Sequence, residues 1–303
     1  MSYVELYERN ILKKRKEELN KLLEKCHLCP RKCLVNRLQD EKGFCGAGKR
    51  VTVSSYNLHF GEEPPISGYR GSGTIFFTHC SLRCCFCQNY PISQLGNGQE
   101  VEISELATMM VKLQKLGAHN INFVTPTHFV PQIVEALELG VREGLKIPLV
   151  YNSGGYESVE TLELLDGIVD IYMPDAKYSN PESARAYSRA ADYFEVNKKA
   201  LLEMHRQVGD LKMDKEGIAK RGLLIRHLVM PQDVVGSRKV LEFIARNISK
   251  NTYMSIMAQY HPAHLAFEFP EISRRIYKRE YDAVLKMADE LGLERGWRQD
   301  FWE

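Results

Sequence analysis

Cys80, Cys84 and Cys87 stand at the spacing C-x3-C-x2-C. Thiolates suit iron–sulfur clusters and zinc alike. A structural zinc takes four protein ligands, usually from paired knuckles, and this stretch offers only three in that spacing. Three thiolates on one short loop can bind three irons of a cubane and leave the fourth iron without a protein ligand. His79 is the adjacent alternative donor, but a residue next to Cys80 seldom reaches the same metal. Cys85 interrupts the pattern and reads as a small buried hydrophobe. A second group, Cys26, Cys29, Cys33 and Cys45, is spaced x2, x3, x11. That matches neither a paired zinc knuckle nor the ferredoxin run, yet four thiolates suit a structural zinc or an auxiliary iron–sulfur cluster. Gly43, Gly46 and Gly48 let the backbone turn tightly around such a metal. All eight cysteines of the chain precede residue 90, so thiolate chemistry is confined to its first third.

The rest of the composition sets limits on this chemistry. The 303 residues are 44% hydrophobic and 26% charged, which suits one large globular domain or two small ones. No apolar run reaches the ~18 residues of a membrane span, and the charged N-terminus lacks the ~7–15-residue apolar core of a secretory signal. A cytoplasmic, reducing setting is expected, where clustered thiols are ligands or redox groups rather than disulfides. Forty-one Lys and Arg against thirty-nine Asp and Glu leave +2, so neither a membrane nor nucleic acid is called for as partner.

The elements that must position these residues follow from periodicity. Apolar positions from Val4 to Leu23 describe an amphipathic helix over 3–25. Residues 26–49 form a cysteine loop too short for a core of its own. Residues 51–72 read as irregular, with GEEPP and SGYRGSG as turn signals. Apolar β-type runs then appear at 73–78, 120–124, 148–152, 168–172, 222–230 and 252–258. Helical patterns cover 103–117, 129–144, 157–167, about 181–208, 237–249 and 270–292. Six strands alternating with helices predict a parallel α/β fold. A partial (β/α)6 TIM-type barrel over 73–303, preceded by an N-terminal helix and metal-binding segment over 1–72, suits the count, although an open doubly wound sheet alternates in the same way. In either, ligands sit at the carboxyl ends of the strands. The polar residues there are His79 and Cys80; Thr125, Thr127 and His128; Asn152 and Ser153; Asp175 and Lys177; Arg226 and His227; and Gln259, Tyr260 and His261. Asp175 with Lys177 also reads as an ordinary ion pair, and His128 and His227 as structural histidines.

With those residues in view, the loop resembles the cluster loop of the radical S-adenosylmethionine (SAM) superfamily, where C-x3-C-x-aromatic-C follows the first barrel strand. Phe86 holds the aromatic position. CHLCPRKCLVNR, GFCGAG, FFTHCSLRCCFCQNYPIS, VTPTHFVPQI, PDAKY and RHLVMP resemble a branch of the pyruvate formate-lyase activating enzyme-like proteins. The likeness runs over nearly the whole chain. It implies that Cys80, Cys84 and Cys87 hold a 4Fe-4S cluster whose open iron is chelated by SAM. It also implies one-electron cleavage of SAM to methionine and a 5′-deoxyadenosyl radical, with Phe86 packed near the adenine. Thr125-Pro126-Thr127 stands where the superfamily has Gly-Gly-Glu, so hydroxyls and a carbonyl replace a carboxylate at the SAM amino group. Asn152-Ser153-Gly154-Gly155 stands for Asp-Thr-Asn-Gly. Asp175-Ala176-Lys177 matches Asp-Leu-Lys, so Asp175 orients SAM and Lys177 pairs with its carboxylate. His261 matches a histidine on the SAM ribose.

The resemblance also implies partners: SAM, a glycyl-radical enzyme as protein substrate, and an electron donor such as flavodoxin or ferredoxin. The expected reaction is hydrogen abstraction from a glycine Cα of that enzyme. Radical modification of a small molecule or peptide is the alternative. A non-enzymatic Fe–S electron-transfer module is the alternative of another class, which the polar residues at every strand end argue against. No residue stands out as the catalytic acid, base or hydrogen donor.

Overall fold

The computed structural model describes residues 2–301. The chain opens with α1 (Tyr3–Glu8), capped by Ser2 and Glu5 in a reciprocal box, and α2 (Ile11–Lys21). The expected single helix is therefore two, broken at Asn10, whose left-handed φ of 56° ends the first segment. The strands are β1 (Val51–His59), β2 (Ser72–Phe77), β3 (Gln99–Val101), β4 (Ile121–Val124), β5 (Leu149–Ser153), β6 (Ile171–Pro174), β7 (Lys212–Met213), β8 (Ala219–Leu228), β9 (Tyr253–Met257) and β10 (Gly296–Arg298). Between them lie α3 (Pro64–Ser67), α4 (Tyr90–Ser93), α5 (Ile103–Lys115), α6 (Val130–Arg142), α7 (Val159–Leu164), α8 (Pro181–Ser188), α9 (Tyr193–Val208), α10 (Ser237–Phe243) and α11 (Lys278–Glu290).

The sheet runs β10-β9-β8-β6-β5-β4-β2-β1-β3, with β7 paired to β8 off this path. From β2 to β10 all neighbours on the path are parallel and the order follows the chain without a reversal. A doubly wound sheet would reverse at a switch point. This α/β sheet is singly wound, as a partial barrel is, and its parallel strands deliver their carboxyl ends to one rim.

Residues 51–72, expected to be irregular, hold β1 and α3. β1 pairs antiparallel with β2 from Val53 opposite Phe77 to His59 opposite Ser72, with one register shift between Val53 and Ser55. Its sequence, VTVSSYNLH, is half polar because only part of it is buried, so the apolar run that marks the inner strands is missing. The inner strands have two dry faces. One side of the sheet packs on the helices, in a core that reaches from Tyr3 and Leu12 through Phe77 and Tyr172 to Leu293. The other encloses a smaller group, Val150, Ile171, Met173, Leu224 and Tyr253, into which Ile66 of α3 inserts fully buried.

Candidate active site

Seven parallel strands contribute to one cavity of about 310 Å³. Phe76 comes from β2, Val124 from β4, Asn152 and Ser153 from β5, Arg226 from β8, Met257 from β9 and Trp297 from β10. Thr125 and Asp175 follow β4 and β6, and Cys80, Cys84 and Cys87 come from the loop after β2. His79, Arg83 and Thr125 adopt left-handed φ of 68°, 49° and 60°, which non-glycine residues hold only where their surroundings fix them.

The cysteine loop is tied down from several sides. Cys85 N–H donates to Tyr187 O, Gln94 Nε2 to Cys84 O (2.6 Å), and Ser188 Oγ lies 2.9 Å from Cys84 Sγ. Leu82 N–H reaches Cys80 Sγ at 3.4 Å and Ser93 Oγ stands 3.2 Å from Cys87 Sγ. Burial pushes the Cys80 thiol up to about 12, with the neighbouring Cys84 adding to the effect. A bare thiolate is disfavoured there, so a metal would supply the compensating charge. His79 packs against Gly46 and Gly96 and does not line the cavity, which removes it as a fourth ligand. Cys85 is buried and does not line the cavity. Phe86 is also buried, in edge contact with Tyr178, Tyr187 and Tyr260, and does not line the cavity.

Facing the thiols is a buried charge network. Asp175 Oδ2 receives Lys177 Nζ at 2.6 Å, and Oδ1 receives Arg226 Nε at 3.1 Å. Burial raises the Asp175 carboxyl, but the two cations outweigh it and hold the group below its ordinary range. Arg226 also reaches Asn152 Oδ1 (2.5 Å) and Glu62 Oε2 (3.4 Å). Burial raises the Glu62 carboxyl against the opposing pull of Arg226. Tyr193 OH and Asn197 Nδ2 both hold the Asp175 carbonyl from behind. Gly155, at φ +72°, passes so close that an added Cβ would stand 2.0 Å from that oxygen.

Of the residues expected on SAM, Thr125, Asn152, Ser153, Asp175 and Lys177 line the cavity. Thr127 does not. It is buried, with its hydroxyl donating to Glu157 Oε1 at 2.8 Å. His261 lies outside the lining, where Gln88 Nε2 approaches its Nδ1 at 3.1 Å. His227 is satisfied on both nitrogens, by Ala176 O and Ser237 Oγ, as a structural histidine is. The sequence reading missed Glu62 and Glu63, which line the cavity from the turn before α3. Glu63 is 2% exposed and its Oε2 has no hydrogen-bond partner. Adjacent acids before Pro-Pro were the available signal, read only as a turn.

Cys26, Cys29, Cys33 and Cys45 line a separate small cavity with Arg37 and His128. Among the described residues no three His, Cys, Asp or Glu side chains are gathered as a ready single-ion site. A cubane does not require such a point, because each thiolate takes its own iron. The cysteine loop therefore fits a cluster by its donor set: three thiols at a cavity mouth, opposed by polar groups that can grip a bound amino acid. No helix among the described residues is long and apolar enough to cross a membrane.

Residues 74–231 match the family model of the Radical SAM superfamily. A protein of Methanocaldococcus jannaschii, "Uncharacterized protein MJ0674", is 33% identical over 297 residues, covering 94% of this chain and 80% of the relative. A second from that organism, "Uncharacterized protein MJ0808", is 21% identical over 300 residues, covering 92% and 81%.

Proposed function

Because this chain belongs to the radical SAM superfamily, we propose that Cys80, Cys84 and Cys87 hold its 4Fe-4S cluster and that it removes a hydrogen atom from a glycine Cα of a partner enzyme. When bound, the reduced cluster supplies one electron to SAM, giving methionine and a 5′-deoxyadenosyl radical that takes the hydrogen as 5′-deoxyadenosine. A reducing protein such as flavodoxin or ferredoxin supplies that electron.

The chain's own residues bind and orient. Lys177, held by Asp175, offers an ammonium to the SAM carboxylate. Thr125, Ser153 and the Asp175 carboxylate offer acceptors for the SAM amino group. Arg226 ties Asp175, Asn152 and Glu62 into one set, so the grip exists before the ligand arrives and little ordering is left to the binding step. Phe86 acts through the aromatic cluster behind the loop.

The observation that carries the superfamily chemistry is the meeting of three thiols and the Asp175–Lys177–Arg226 network at the same cavity. The protein-substrate reading is supported by a loop tied to the cysteine loop. Leu265 N–H donates to Cys85 O, and Leu265 and Phe267 are exposed on a loop thus fastened to the cysteine loop. Exposed apolar side chains beside a site suit a protein partner. A second reading is favoured by Glu63, whose unpartnered carboxylate oxygen suits an amine-bearing small molecule or peptide.

Anaerobic reconstitution with iron and sulfide, then dithionite and SAM, is expected to release 5′-deoxyadenosine, and Cys84→Ala to abolish the release. Turnover surviving that change would refute the ligand assignment. A protein target is expected to show an EPR doublet that collapses on deuterating its glycine. Full turnover with a small amine alone would favour the second reading.

A further inference from the structure

The N-terminal cavity carries features that the strand-end site does not explain. Cys26, Cys29 and Cys45 are buried and Cys33 is half-buried, and none is in a disulfide. The backbone closes around them, with Leu34 N–H donating to Cys26 O and Cys26 N–H to Val35 O. Phe44 N–H reaches Cys33 Sγ at 3.3 Å.

Two neighbours in the same cavity are left uncompensated. Arg37 is 1% exposed. Its guanidinium donates only to carbonyls, Gly48 O (2.7 and 3.1 Å) and His128 O (2.6 Å), with no carboxylate paired to it among the described residues. A buried cation held by neutral groups alone is costly unless an anion stands nearby. His128 is 2% exposed, and its Nε2 meets Thr78 O at 2.7 Å, so that nitrogen carries the proton. Nδ1 is then a buried acceptor, and it has no partner.

We propose that Cys26, Cys29, Cys33 and Cys45 hold a second metal centre, closed by four thiolates, with Arg37 as its buried countercharge. Four thiolates around a 4Fe-4S core of charge +2 leave a net charge of −2, and Arg37 offsets half of that charge. A single zinc ion would need the sulfurs gathered at one point, and among the described residues they are not. A closed centre leaves no position for SAM, so its work differs from that of the Cys80 loop. It sits against the back of that loop. Arg31, between Cys29 and Cys33, donates Nε to Ser81 O (2.9 Å) and NH2 to Ser188 O (2.8 Å), and Ser188 Oγ touches Cys84 Sγ. The N-terminal centre therefore fixes the arginine that braces the cluster loop.

The test is metal analysis and visible absorption of the full chain carrying Cys80→Ala, Cys84→Ala and Cys87→Ala together, purified without oxygen and supplied with zinc, iron and sulfide. About four irons with colour support the assignment. Adding Cys26→Ala and Cys29→Ala is expected to release them. A folded triple variant that holds only zinc or no metal, or iron that persists after the added changes, overturns the proposal. In the otherwise unchanged protein, Arg37→Met is expected to weaken the centre against a chelator by about tenfold or more, with Arg37→Lys recovering part of it. Equal retention in Arg37→Met and the unchanged chain would refute the countercharge. The triple variant has no SAM loop, so this outcome is independent of the reading of the strand-end site.

Discussion

At the scale of single residues, the site is legible where chemistry demands a side-chain type and obscure where packing reassigns one. The C-x3-C-x2-C spacing and the strand-end Asp175 and Lys177 lead directly to the cavity. Thr127 does not, because Glu157 claims its hydroxyl, along with that of Tyr151 at 3.0 Å. Burial drives the Glu157 carboxyl up to about 7, against the hydrogen bonds from Thr127 and Tyr151 that favour its charged form. A carboxyl whose folded value exceeds its unfolded one binds protons more tightly when folded. Its contribution is therefore fully present below about pH 4.5 and is lost as the pH rises to about 7. Glu157→Gln removes this dependence. Relative to the unchanged protein, the variant is expected to gain up to about 3 kcal/mol between pH 4.5 and neutrality. Urea midpoints of both proteins across that range measure it, and a gap that does not change with pH would contradict the account.

At the scale of elements, the inner strands were legible and the edges were not. GTIFFT, NINFV and PLVYN are apolar because both faces are covered. β1 sits beside them but is half exposed, and its mixed sequence resembles a loop. The expected helix over 270–292 begins only at Lys278. Pro270 opens a short 3-10 turn, and at the start of the helix Glu280 then accepts from the Tyr277 backbone N–H. Glu280 accepts from Gln232 N–H and Tyr277 N–H as well as from Arg274, and the Arg274 bonds lower its carboxyl to about 2. A lowered carboxyl stabilises the fold above about pH 4.5 and loses that effect as the pH falls toward about 2. Glu280→Ala is expected to cost about 1–2 kcal/mol near neutrality, the sum of a lost cap and a partly exposed ion pair. The penalty should shrink in acid. A cost that stays constant down to pH 3 in thermal melts would count against the capping role.

At the scale of the molecule, alternation alone left barrel and open sheet undecided, because both produce the same period. The unreversed pairing order fits the partial barrel and excludes double winding, and pairing is long-range information that no local window contains. The plug formed by Glu62, Glu63 and α3 was invisible for the same reason: a turn signal does not say what the turn is inserted into. The resulting assembly places a three-cysteine loop over a preformed charge network, with a four-cysteine segment braced behind it through Arg31. The central claim is the vacant iron corner on Cys80, Cys84 and Cys87. Mössbauer spectroscopy of the protein lacking Cys26, Cys29, Cys33 and Cys45, reconstituted with iron-57, tests it most directly. One iron in four is expected to shift when SAM is added while the other three stay as they were. Four irons that ignore SAM would contradict the account.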